Sequence, residues 1–178
     1  VASAAPLTPI LNTNINTGNE SHTGMYGSAA GIVADAGDLQ NISNCTVKNV
    51  EIETSSDNMA GIIGTTFGAT ITFDNCNVED LTCTDNNTVS ASTRLIGGLV
   101  GKAGKINVTN SNLSKINLNV LNGKKSTVQI GGIAANATDS TSIDNVNLEG
   151  ITINNNAGGT SGGIIAVQLG SILNAVSY

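Results

Sequence analysis

An eleven-residue pattern occurs four times in this chain, at residues 42–52, 73–83, 108–118 and 143–153, and the copies align without a gap. A repeat of this kind restricts the available folds more than length or composition does. Read down the aligned columns, the first position is Ile42, Phe73, Val108 and Ile143. The fourth is Cys45, Cys76, Ser111 and Val146, and the sixth is Val47, Val78, Leu113 and Leu148. The ninth is Val50, Leu81, Ile116 and Ile151, and the eleventh is Ile52, Cys83, Leu118 and Ile153. Every one of these columns is apolar or small. Those between them are polar, as in Lys48, Glu79, Ser114 and Glu149, or Glu51, Thr82, Asn117 and Thr152.

Within a copy the fourth and sixth positions alternate with polar neighbours, and so do the ninth and eleventh. Period two is the mark of strands with one buried face. The alternation loses phase between the first and fourth positions and again between the sixth and ninth, which predicts two bends. Asn44, Asn75, Asn110 and Asn145 occupy the first bend. Asparagine accepts left-handed backbone angles at small cost. Stacked in register, the four side chains predict a hydrogen-bonded ladder. A glycine followed by two aliphatic or small residues precedes each copy, beginning at Gly31, Gly61, Gly98 and Gly132, and recurs at Gly163; the spacings are 30, 37, 34 and 31 residues. Each repeat therefore carries three short strand-like pieces separated by bends, which is one coil of a parallel β-helix.

Helical solenoids share this period, but these repeats are rich in β-branched residues, Asn, Thr and Gly, which disfavour helix. A leucine-rich repeat has a single strand per unit and does not accommodate three alternating pieces. The expected fold is all-β: a single-stranded parallel β-helix, or β-solenoid, right-handed by the usual crossover rule, with about four to five coils of three short strands. Residues 1–30 are expected to form an irregular N-terminal segment with a partial coil, because Pro6 and Pro9 interrupt strand pairing while residues 14–17 resemble the last strand of a repeat. The repeats then occupy residues 31–178, divided at 31–60, 61–97, 98–131, 132–162 and a partial 163–178.

The chain carries seven Lys and Arg against thirteen Asp and Glu, a net charge of −6, so it cannot neutralise a nucleic acid or an anionic membrane. No apolar run is long enough to span a bilayer. No signal peptide opens the sequence, which is compatible with one already removed. Only 11% of residues are charged and 2% aromatic, with no Trp, which suits a core of aliphatic ladders and leaves few rings for stacking sugars. One histidine and no closely spaced cysteine pair argue against a metal centre, and no cofactor is expected.

Most length variation falls at one corner, between the eleventh position and the next glycine. Insertions in solenoids collect on one edge, which is often the binding edge. The candidate binding-loop residues there are Asp85, Asn86, Arg94, Asn122, Lys124, Lys125 and Asn155. Cys45 and Cys76 share a column in successive coils; they are either buried thiols acting as small hydrophobes or a candidate disulfide pair, since neighbouring strands lie about 4.8 Å apart. Seven Asn-x-Ser/Thr sequons are present, and Asn86 and Asn136 are the expected accessible glycosylation sites. Unpaired strands at the ends of a β-helix are adhesive unless capped. No capping helix is evident, so the expected partner is a second copy stacked head to tail or a flanking domain, with a host surface protein or glycan as a further candidate.

Residues 96–101, Ile-Gly-Gly-Leu-Val-Gly, and the following 106–118 resemble the GLUG motif of bacterial surface proteins. Gly61 to Gly64 with Phe73 to Cys76, and Gly131 to Ile133, are similar to further copies; the first copy departs from the pattern at Ala34. The resemblance implies a β-helical adhesin or secreted surface protein and brings no catalytic residues with it. The expected function is accordingly a non-enzymatic structural or adhesive module, secreted or at the cell surface, that self-assembles into a fibre. The alternative is a carbohydrate-active β-helix, a polysaccharide lyase or hydrolase. Its carboxylates would be Asp74, Asp144, Glu79 and Glu149, which lie in two outward columns.

Overall fold

A computed structural model describes residues 10–18, 27–37, 41–66, 68–86, 93–121, 127–169 and 172–173. Strand β1 (Ile10–Gly18) is followed by a first turn of β2 (Ser28–Ala30), β3 (Val33–Asp35), β4 (Asn41–Ser43) and β5 (Thr46–Thr54). The next turn is β6 (Asn58–Ala60), β7 (Ile63–Thr65), β8 (Ile71–Asp74) and β9 (Asn77–Asp85). Then come β10 (Arg94–Gly97), β11 (Val100–Ala103), β12 (Ile106–Thr109) and β13 (Asn112–Val120). After them run β14 (Val128–Gly131), β15 (Ala134–Ala137), β16 (Thr141–Asp144) and β17 (Asn147–Asn155), with β18 (Thr160–Gly162), β19 (Ile165–Gln168) and β20 (Ile172–Leu173) above. No helix occurs among the described residues.

The strands stack into four parallel five-stranded sheets, one strand of each turn per sheet, so the chain is a β-solenoid. The long-strand sheet runs β1-β5-β9-β13-β17. In it Ile15, Ile52, Cys83, Leu118 and Ile153 stand in one register column, as the sequence pattern requires. Three inner levels in each sheet are paired on both sides, giving about three fully enclosed turns rather than four to five coils.

The expectation of three strands per coil is also corrected, to four. The first bend is where the asparagines place it: Asn44, Asn75, Asn110 and Asn145 have φ of 54°, 52°, 50° and 51°. The second loss of phase is not a corner. Asn49, Asp80, Lys115 and Gly150 take φ of 53°, 58°, 54° and 64° inside one continuous nine-residue strand. A single left-handed residue reverses the facing of the residues after it without ending the strand. The real additional corner lies at the glycine of each repeat, between strands such as β10 and β11. There a Cβ on Gly98 would stand 2.0 Å from the carbonyl oxygen of Gly132, and one on Gly61 2.5 Å from that of Gly98. Glycine recurs in that column because successive turns touch backbone to backbone.

The core is a set of apolar ladders. Phe73 sits between Ile42 and Val108, and Ile71 beside Ile106, all but Ile42 fully buried. The asparagine ladder is real but interrupted. Asn75 Nδ2 donates to Asn44 Oδ1 at 2.8 Å and Asn145 Nδ2 to Asn110 Oδ1 at 2.8 Å, but Asn110 Nδ2 donates to Asp74 Oδ1 at 2.9 Å. A carboxylate is the stronger acceptor and takes the amide from its neutral neighbour.

Candidate functional site

The variable corner follows the long strand. Its inward column reads Thr54, Asp85, Val120 and Asn155 in register. Asp85 and Arg94, expected on an exposed excursion, are corrected by the structure. Asp85 is the last residue of β9 and Arg94 the first of β10, and both side chains are buried, 1% and 2% exposed. Arg94 donates to Asp85 Oδ2 at 2.6 Å. Period two, carried two residues past Cys83, already turns Asp85 inward, which is the signal that was open to sequence reasoning. Thr54 at the same corner bonds Ser56, donating from Oγ1 at 2.8 Å and accepting from Ser56 N at 2.9 Å. Asn155 closes its corner as a tight turn: Oδ1 accepts from Ala157 N at 3.1 Å, and Nδ2 donates to Gly158 O at 3.0 Å and Ser161 Oγ at 3.2 Å. These polar residues serve the bend itself. Asn122, Lys124 and Lys125 lie outside the described residues.

Neither expected glycosylation site is an open loop side chain. Asn86 is half-buried and its Nδ2 donates to Glu53 Oε1 at 3.0 Å. Asn136 is a half-buried residue of β15 whose Nδ2, the atom a glycan would modify, donates to Gln129 Oε1 at 2.8 Å. Side-chain hydrogen bonds hold both in place, which composition alone does not reveal.

Two of the four outward carboxylates, Asp74 and Glu79, have partners. Asp74 Oδ1 accepts from Thr109 Oγ1 at 2.7 Å and from Asn110, and these bonds hold its carboxyl below the usual carboxylate range. Glu79 lies between Lys48 at 2.7 Å and Lys115 at 3.6 Å, and the Lys48 bond, with help from both cations, holds it low as well. A general acid needs a raised pKa near the working pH, and neither group has one. Among the described residues no group of three or more His, Cys, Asp or Glu is placed to hold a metal.

Cys45, Cys76 and Cys83 are thiols. Cys45 and Cys76 are stacked neighbours, whereas Cys83 is fully buried between Ile52 and Leu118 and burial pushes its thiol up to about 12.

The remaining feature is the β17 edge of the long-strand sheet. Beneath β1, Val47, Val50 and Ile52 are 0%, 1% and 0% exposed. At the other edge Leu148, Ile151 and Ile153 are only half-buried, although their counterparts Leu113, Ile116 and Leu118 one level in are fully enclosed. Ile164 and Ile165 are likewise half-buried at that end. No helix among the described residues is long and apolar enough to cross a membrane. Comparison with family models, with curated proteins and with solved structures returned no match. The fold is that of a β-helical repeat protein, and the GLUG likeness gains no support from family comparison.

Proposed function

We propose that this protein is a non-enzymatic structural or adhesive module, secreted or at the cell surface, whose units join head to tail through their open sheet edges. One observation carries this reading. Ile10 and Ile15 of β1 occupy the columns of Val47 and Ile52, and those columns run on to Leu148 and Ile153 at the open edge. A strand that pairs with β5 in this register has the register to pair with β17 of a second copy, which sets Ile10, Thr13 and Ile15 in the columns of Leu148, Ile151 and Ile153. Such a contact is heterologous and does not close, so it generates a filament. The paired, low-pKa carboxylates Asp74 and Glu79 support a structural role for the outer face over acid–base chemistry.

Sedimentation velocity and negative-stain imaging test this reading. The expected result is concentration-dependent end-to-end assembly with an axial repeat of about 24 Å, from five strands per sheet at about 4.8 Å each. Ile153→Lys, which puts a charge on the joining edge, should leave folded monomers. A wild-type monomer at high concentration would overturn the proposal. Depolymerisation of an acidic polysaccharide, lost in Asp74→Asn or Glu79→Gln, would favour an enzyme instead.

A further inference from the structure

We propose that Cys45 and Cys76 form a disulfide between the first and second turns when the protein meets an oxidising environment, while Cys83 remains a thiol. The two residues each follow a left-handed asparagine, Asn44 and Asn75, and so leave the same corner in successive turns. Asn77 N donates to Cys45 O at 2.9 Å and Thr46 is in register with Asn77, which stacks Cys45 directly on Cys76. Residues stacked this way in neighbouring strands lie about 4.8 Å apart, inside the Cα separation that a disulfide spans. Cys76 Sγ lies 3.5 Å from the carbonyl oxygen of Ile42 in the turn that carries Cys45. The neighbouring Cys76 and burial raise the Cys45 thiol, so the reaction is expected to be slow and to quicken with pH.

Access and partnership single out this pair. Cys45 is half-buried in the first turn and can meet a soluble oxidant; Cys76 beneath it is fully buried. The same column continues as Ser111, whose Oγ accepts from Cys76 N at 3.0 Å, and then Val146, so no other sulfur competes. Cys83 stands in register with Ile52 and Leu118 and has no thiol in its column.

The chemistry needs a soluble disulfide such as oxidised glutathione. The Cys45 thiolate attacks one of its sulfurs, forming a mixed disulfide and releasing one glutathione thiolate. The Cys76 thiolate then attacks Cys45 Sγ and expels the second. The protein loses two protons and two electrons, and one oxidised glutathione becomes two reduced. The product ties one whole turn into a covalent loop and pins the first turn, where Val33, Ala36 and Ile42 are only half-buried.

The test uses the full chain, incubated with oxidised glutathione at pH 8 and then denatured and mapped by mass spectrometry, with a dithiothreitol-reduced sample beside it. The expected result is one remaining thiol of three, located at Cys83, with a Cys45–Cys76 cross-linked peptide and a higher Tm than the reduced sample. In Cys83→Ser the thiol count should fall to zero with the same cross-link. Retention of all three thiols, a bridge that includes Cys83, a glutathione adduct at Cys45 that never resolves, or disulfides only between molecules would each overturn the proposal.

Discussion

Removing one member of the Asp85–Arg94 pair should be far more damaging than removing both. The pair is buried at 1% and 2% exposure with the charges 2.6 Å apart. Asp85→Val alone strands the guanidinium, and Arg94→Met alone strands the carboxylate. Leaving a buried charge without its counter-ion costs about 3–5 kcal/mol. The protein itself indicates a replacement, because one turn on the same two register positions hold Val120 and Val128, both fully buried. Methionine at 94 keeps the unbranched length of the arginine and limits the void. The double variant Asp85→Val/Arg94→Met should thus lie between wild type and about 1–4 kcal/mol above it, with a coupling energy of at least about 6 kcal/mol, the sum of the two single losses. For a chain of this size each kcal/mol moves Tm by about 2–4 °C, so the single variants should melt roughly 6–20 °C low. The assay is urea unfolding at constant m-value, in an Ile153→Lys background so that assembly does not contribute to apparent stability. Additive losses, or single variants within about 1 kcal/mol of wild type, would show that the pair is solvated and would refute the reasoning.

Three further outcomes are expected of the same structure. In the Ile153→Lys background, Gly98→Ala places a Cβ 2.0 Å from the Gly132 carbonyl oxygen, so it should abolish cooperative unfolding or lower Tm steeply, whereas Gly163→Ala, whose Cβ would meet nothing within 4 Å of the same chain, should be nearly silent; both are read by circular dichroism melts. Asn75→Gly keeps the left-handed angle and removes only the bond to Asn44, for about 0.5–1.5 kcal/mol, while Asn75→Ala adds about 1–2 kcal/mol of backbone strain; equal costs by urea unfolding would show that the backbone angle is irrelevant. The carboxyls of Asp74 and Glu79 are held low in the folded state, so their contribution is fully present above the unfolded carboxylate value of about 4 and is lost as pH falls through the lower folded values. Stability should therefore drop in acid, and Glu79→Gln should make that drop shallower in a pH series of unfolding midpoints.

The fold was legible because a solenoid writes its contacts into its period. Residues stacked in space occupy the same position in successive repeats, so the column of Ile52, Cys83, Leu118 and Ile153 could be read without coordinates. The corner asparagines were legible for a similar reason, since few residues accept φ near 50°. The strand count per turn was not. A phase change at Asn49, Asp80, Lys115 and Gly150 looks the same in sequence whether the chain turns a corner or twists within a strand, and only backbone pairing with the next turn separates the two.

Sequence alone determined that like residues stack on like and that the interior is aliphatic, because alternation and repeat length are properties of the chain itself. Tertiary structure alone decided what the polar exceptions do. Asp85 and Arg94 lie nine residues apart and read as loop charges until the corner folds them into each other's company. Asp74, Glu79 and Asn136 read as free surface groups until neighbouring strands supply their partners. The physical reason is that apolar burial needs only the right face, whereas a polar side chain is defined by its particular partner, and that partner comes from elsewhere in the chain.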